Sequence, residues 1–150
     1  MAPTRPTDGD YRFLTIPWGT SRADVRRHLE ARGFKYLETD DEGDDQFEGR
    51  VDGRDTGVAA MYAGDAVIKF LVVMLAADEN GGLLEHFKRG LTSAYGSAAE
   101  QRGLATIWPE RSGTLVWITI SEDRHIQVHF EAAGWPGESR KRKEGRTTGN

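Results

Sequence analysis

The chain has 150 residues, 37% of them apolar, a formal net charge of −4 and no cysteine. That length suits one domain, or two small halves sharing a core. The lack of cysteine excludes disulfides, thiolate metal sites and cysteine nucleophiles together. The mild negative charge argues against nucleic-acid binding driven by bulk charge, and no run approaches the roughly 18 apolar residues of a membrane helix.

Met1 to Asp10 is rich in Pro, Thr, Gly and Asp and reads as a flexible arm. It has no apolar stretch of the kind a secretory signal needs, so if Met1 is the true start the expected location is cytoplasmic. Tyr11 to Ile16 reads as a short strand stopped by Pro17-Trp18-Gly19. Ser21, with Asp24 three positions on, has capping-box spacing. Val25 and Leu29, with His28 beside them, form a narrow stripe, and Gly33 ends the pattern. A helix is expected over 21–32, with Arg22, Arg26, Arg27 and Glu30 as a solvated face.

Phe34 to Glu38 opens a strand. Asp40 to Glu48 carries six acids and no base. The ligand positions of a calcium loop are not met there, and a solvated hairpin loop is the expectation. Asp52-Gly53 is the strongest two-residue turn signal in the chain and joins strands over 47–51 and 55–62. Ala66 to Ala77, AVIKFLVVMLAA, is apolar on both parities and interrupted only by Lys69. It belongs in the middle of a sheet, with Ile68, Phe70, Val72 and Met74 pointing one way and Val67, Leu71, Val73 and Leu75 the other.

Leu83, Leu84, Phe87, Leu91, Ala94 and Tyr95 fall at helical spacing, with Asp78 or Asn80 as the cap and Gly96 as the stop. Gly90 weakens the middle of that helix and suggests a close approach to the sheet. Ser97 to Leu104 reads as a connector, and 106–108 as a short strand stopped by Pro109. Strands over 114–121 and 125–131 follow. A three-residue loop of Glu122, Asp123 and Arg124 puts Val116, Ile118, Ile120, Ile126, Val128 and Phe130 on one face, and burial selects that register. The opposite face then carries Leu115, Trp117, Thr119, Gln127 and His129, together with Ser121, His125 and Glu131, with Trp117 opposite His129. It is the expected interaction face, because interfaces favour amphipathic aromatic surfaces. Gly137 to Asn150 reads as a basic disordered tail, with Arg140, Lys141, Arg142 and Lys143 as contacts for an acidic partner or a phosphate backbone.

The expected fold is therefore a single α+β domain over 11–136: a twisted, mainly antiparallel sheet with two helices packed on one face, in tandem αβββ-like units. Trp18-Gly19-Thr20-Ser21-Arg22-Ala23-Asp24-Val25 and Leu29, followed by Gly33-Phe34, resemble the start of the first helix in the outer-membrane assembly lipoprotein family of BamE type. The tandem arrangement is similar to that of the β-lactamase inhibitor protein family. The likeness departs from the BamE type in having no lipoprotein cysteine and in reading Gly-Phe where that family has Gly-Pro. It implies a non-catalytic protein-binding scaffold and carries no functional residue over.

Catalytic patterns are absent from the sequence. There is no G-x-S-x-G nucleophile elbow, and Gly81-Gly82 lacks the rest of a phosphate-loop frame. His125 and His129 on one strand are about 13 Å apart at 3.3 Å per residue, too far to share one ion. His28 and His86 lie on separate helices. The expectation is no cofactor, no metal and no catalysis. In their place the sequence points to a protein-interaction module or small accessory subunit with a protein partner; nucleic-acid binding through the tail is less favoured. The alternative is a small-molecule-binding domain or enzyme with a cavity between helices and sheet.

Overall fold

The computed structural model describes residues 16–51, 53–74, 82–97, 100–111 and 113–148. The N-terminal arm, residues 11–15 of the first expected strand, Asp52 of the expected turn, Leu75 to Ala77 and the cap candidates Asp78 and Asn80 lie outside them. Helix α1 (Arg22–Ala31) leads into strands β1 (Lys35–Thr39), β2 (Asp45–Val51), β3 (Arg54–Ala63) and β4 (Ala66–Met74). Helix α2 (Gly82–Tyr95) leads into β5 (Glu100–Arg102), β6 (Ala105–Ile107), β7 (Thr114–Ile120) and β8 (Ile126–Ala132), and helix α3 (Trp135–Thr148) follows. The eight strands form one antiparallel sheet in the order β1-β2-β3-β4-β8-β7-β6-β5. Among the described residues, each half is thus one helix followed by four strands, with α3 added after the second, rather than the three-strand units expected. The halves meet where β4 pairs with β8, with Phe70 opposite Phe130. A two-fold through that pair would exchange the halves.

Local chemistry explains the elements. Ser21 caps α1 by accepting the Asp24 N–H. The Asp24 carboxylate does not reach back, and pairs with Arg27 along the helix instead. Gly33 sits at φ +87°, the left-handed conformation a helix stop requires. Gly53 adopts φ +75° in the β2–β3 turn. In the last hairpin Ile120 faces Ile126 and Trp117 faces His129. The Ser121 N–H donates to the His125 carbonyl, as the three-residue loop demands.

The core gathers strand residues of one parity: Phe47, Val58, Ala60, Phe70, Val72, Met74, Val116, Ile118, Ile126, Val128 and Phe130. Val25 and Leu29 of α1 and Leu83 and Tyr95 of α2 belong to the same cluster, while His28 is exposed. A bulge between Met61 and Tyr62 shifts the register of the β3–β4 pair, so that Val67 rather than Ile68 enters the core. Gly90 does not make a close contact with the sheet; a Cβ there would meet only open space.

Two segments depart further from the sequence reading. The connector over 97–104 contains β5, three exposed polar residues held by pairing to β6. The segment from Gly137 on is not a disordered tail in the structure, because most of it is helix α3, which side-chain contacts tie to the sheet as described below. Among the described residues, no helix is long and apolar enough to cross a membrane.

Candidate functional site

The sheet face opposite the core, here the outer face, is built from the other parity of the strands. Its centre is the β4–β8 seam, where Lys69 faces Glu131 and Leu71 faces His129. The Lys69 ammonium donates to Glu131 Oε2 at 2.6 Å, and the Trp117 indole N–H donates to the same oxygen at 3.1 Å. Trp117 lies flat on His129, with ring centroids 3.6 Å apart and planes 6° from parallel. The Lys69 Nζ stands 4.7 Å from the Trp135 ring of α3 and 5.7 Å from that of Trp117. Two indoles and a carboxylate thus enclose one ammonium.

All three ionisable groups are buried: Lys69 is 5% exposed, His129 7% and Glu131 8%. Burial pushes the Lys69 ammonium below its ordinary range, against the pull of Glu131. Burial, with the Lys69 charge beside it, lowers His129 to about 3. The imidazole is therefore neutral at pH 7. Its Nε2 lies 3.2 Å from Gln127 Oε1, which suits the tautomer with its proton on Nε2. Its Nδ1 is buried without a hydrogen bond and stands 3.9 Å from Glu131 Oε2.

Of the five residues expected on the interaction face, Leu115, Trp117, Thr119 and Gln127 are partly covered and His129 is buried. They share the outer face, as the register requires. Lys69, Glu131 and Trp135 join them and were not anticipated as site residues. The signals for them were the hairpin register, which puts Glu131 on this face, and Lys69 itself, a lone charge inside an apolar run.

The end of this face is set by the acidic loop. Asp40 Oδ1 accepts the N–H groups of Glu42 and Asp44, which shapes the turn. Neighbouring side chains of a strand point to opposite faces, and Asp44 and Asp45 each meet an arginine from a different helix. Arg22 of α1 is not simply solvated; it donates to Asp45 Oδ1 at 2.7 Å and to the Gly43 carbonyl at 2.9 Å. Tyr62 and Thr39 also donate to the Asp45 carboxylate. Burial and the Asp45 charge push the Tyr62 phenol far above its ordinary range. Arg142 of α3 donates to Asp44 Oδ2 at 3.0 Å and to the Tyr62 carbonyl at 3.3 Å, and its Nη2 lies 2.9 Å from Asp44 Oδ1. Burial raises the Asp44 carboxyl, and Arg142 opposes that shift. The loop expected to be solvated therefore buries two of its acids. Of the four basic residues expected as tail contacts, Arg142 points into the fold, whereas Arg140, Lys141 and Lys143 are exposed.

Beyond Leu71 and Val73 a cleft of about 710 Å³ opens over β1, β2 and β3, lined by Lys35, Leu37, Glu48, Arg50, Gly57 and Val73 among others. Leu37 is 48% exposed beside it. Among the described residues, no group of three or more His, Asp or Glu side chains is placed to hold a metal ion.

No family model matches this chain, and no curated protein or solved structure matches it either.

Proposed function

We propose that the chain is a non-catalytic protein-interaction module, working as a small accessory subunit that meets its protein partner with the outer face of the sheet. In this reading α1 and α2 pack on the core face, and a partner meets the part of the outer face that α3 does not cover. The observation that carries it is the stacked, half-covered Trp117 on His129, continuous with Leu71, Val73 and the cleft beside Gly57. A rigid aromatic anchor beside a notch, with polar Gln127 and Thr119 at its rim, matches the anatomy of protein interfaces. The resemblance of residues 18–34 to the first helix of the BamE type, and of the tandem arrangement to the β-lactamase inhibitor protein family, is in keeping with it.

The charged centre supports binding over catalysis. Glu131 Oε2 already takes both Lys69 and the Trp117 N–H, and the Trp135 indole lies over the ammonium. A cavity between helices and sheet, which the enzyme alternative needs, is disfavoured because Val25, Leu29, Leu83 and Tyr95 fill that space.

The test is affinity capture with the full chain, with Val73→Arg and Trp117→Ala on the outer face, and with Arg89→Ala on exposed α2 as control. A partner held by the wild type and by Arg89→Ala but lost from both outer-face variants is the expected result. Retention by both outer-face variants, or no partner for any bait, overturns the reading.

A further inference from the structure

Unlike α1 and α2, helix α3 contributes no residue to the hydrophobic core cluster among the described residues. Its sequence, WPGESRKRKEGRTT, is polar on every side after Trp135 and Pro136, and it contains two glycines. An isolated helix of that length and composition is marginal in water, and it has no apolar stripe with which to bury itself. Its contacts with the rest of the fold include Trp135 over Lys69 and the Arg142 guanidinium in the acidic loop. Arg142 also stands 3.7 Å from Glu42, 5.4 Å from the Trp135 ring centroid and 3.5 Å from Glu138 one turn back in its own helix. The guanidinium thereby braces the indole that covers the ammonium.

We propose that α3 is a releasable strap, latched by Arg142 in the Glu42–Asp44 loop, whose lifting bares a patch of the outer face centred on Lys69, Glu131 and Trp117. What lies beneath the strap makes release easy. A Lys–Glu pair buried on a sheet face has given up its hydration, and opening restores water to both charges. That gain offsets the lost contacts of the strap, whereas uncovering an apolar patch would add to them. The hinge is the two-residue turn Ala133-Gly134 directly after β8. The bared patch is continuous with the surface assigned above to a partner, so the strap controls how much of that surface is on offer. Only this use of the patch rests on the binding assignment.

Acylation of Lys69 in the full-length protein, followed by peptide mass mapping, tests the strap without any partner. Exposed Lys35 is the internal reference, and amide exchange in β4 and β8 reports global opening. Lys69 should be labelled faster than global opening allows. Arg142→Ala should raise its rate at least tenfold with Lys35 unchanged, and Asp44→Asn, which removes the latch from the sheet side, should do the same. If Arg142→Ala loses protection in β4 and β8, the comparison rests on Asp44→Asn and Arg142→Lys. Labelling of Lys69 only at the rate of global opening in every variant overturns the strap. Fast labelling of Lys69 together with no partner captured by the wild-type chain would overturn the binding assignment alone.

Discussion

Lys69 and Glu131 stand 2.6 Å apart where neither is hydrated. Removing one partner leaves the other charge buried, so Lys69→Met or Glu131→Leu should each cost about 3 kcal/mol or more in urea unfolding. The double variant replaces the pair with apolar volume and should regain most of that loss; a double variant as unstable as the sum of the singles would refute the account. His129 makes a separate prediction with a definite sign. Its pKa falls from 6.5 unfolded to about 3 folded, so the unfolded chain binds the extra proton between those values. Stability from this group is present in full above pH 6.5 and drains away as pH falls toward 3, at up to about 1.4 kcal/mol per pH unit. Between pH 7 and pH 5 the wild type should lose about 2 kcal/mol more than His129→Gln in denaturant titrations. The Trp117–His129 pairing is legible in the sequence, since only one hairpin register segregates the isoleucines. The burial of His129 is not, because it depends on the chain crossing to β8 beside β4 and on how the indole lies.

One substitution should have opposite signs in two elements. Gly90 is exposed in the middle of α2 with open space where a Cβ would stand. Gly90→Ala should therefore raise stability by about 0.5–1 kcal/mol, the difference in helix propensity. Gly49 in β2 lies under the buried ring of Phe34, and a Cβ there would come within 2.5 Å of Phe34 Cδ1. Gly49→Ala should destabilise by about 1–3 kcal/mol, as overpacking does, with Phe34→Leu relieving part of the cost. Thermal melts of the three proteins decide it, and a stabilising Gly49→Ala would contradict the packing. Element by element, the sequence shows what periodic burial writes into it. The cap at Ser21, the Asp52-Gly53 hairpin, the central strand and α2 all rest on an apolar period or a turn residue. β5 escapes because Glu-Gln-Arg has no apolar residue to count; it is a strand only because β6 offers it a ladder. α3 escapes for a related reason. Ion pairs to residues about a hundred positions away leave no local period, and a basic run with two glycines reads as solvated wherever such partners are invisible.

At the scale of the whole molecule, the seam between β4 and β8 is what makes two small halves into one core. A chain of roughly 60 residues buries only about 60% of its unfolded surface and is marginal by itself. Cut at the seam, the first half would expose the full edge of β4, with Phe70, Val72 and Met74 on one side. Its cheapest repair is to pair with itself. By the two-fold through Phe70 and Phe130, a second copy of β4 can take the place of β8, with Phe70 opposite its own copy. Lys69 would then face Leu71 of the other copy instead of Glu131, and two ammonium groups would lose their carboxylate. A fragment spanning residues 1–80 should therefore be a weak dimer, and residues 81–150 should displace the second copy to give a one-to-one complex. Sedimentation of each fragment and of their mixture reads this directly. Glu131→Leu in the second fragment should narrow its advantage over the self-pair. A first-half fragment that sediments as a folded monomer would show that the seam is an accessory contact between two finished units.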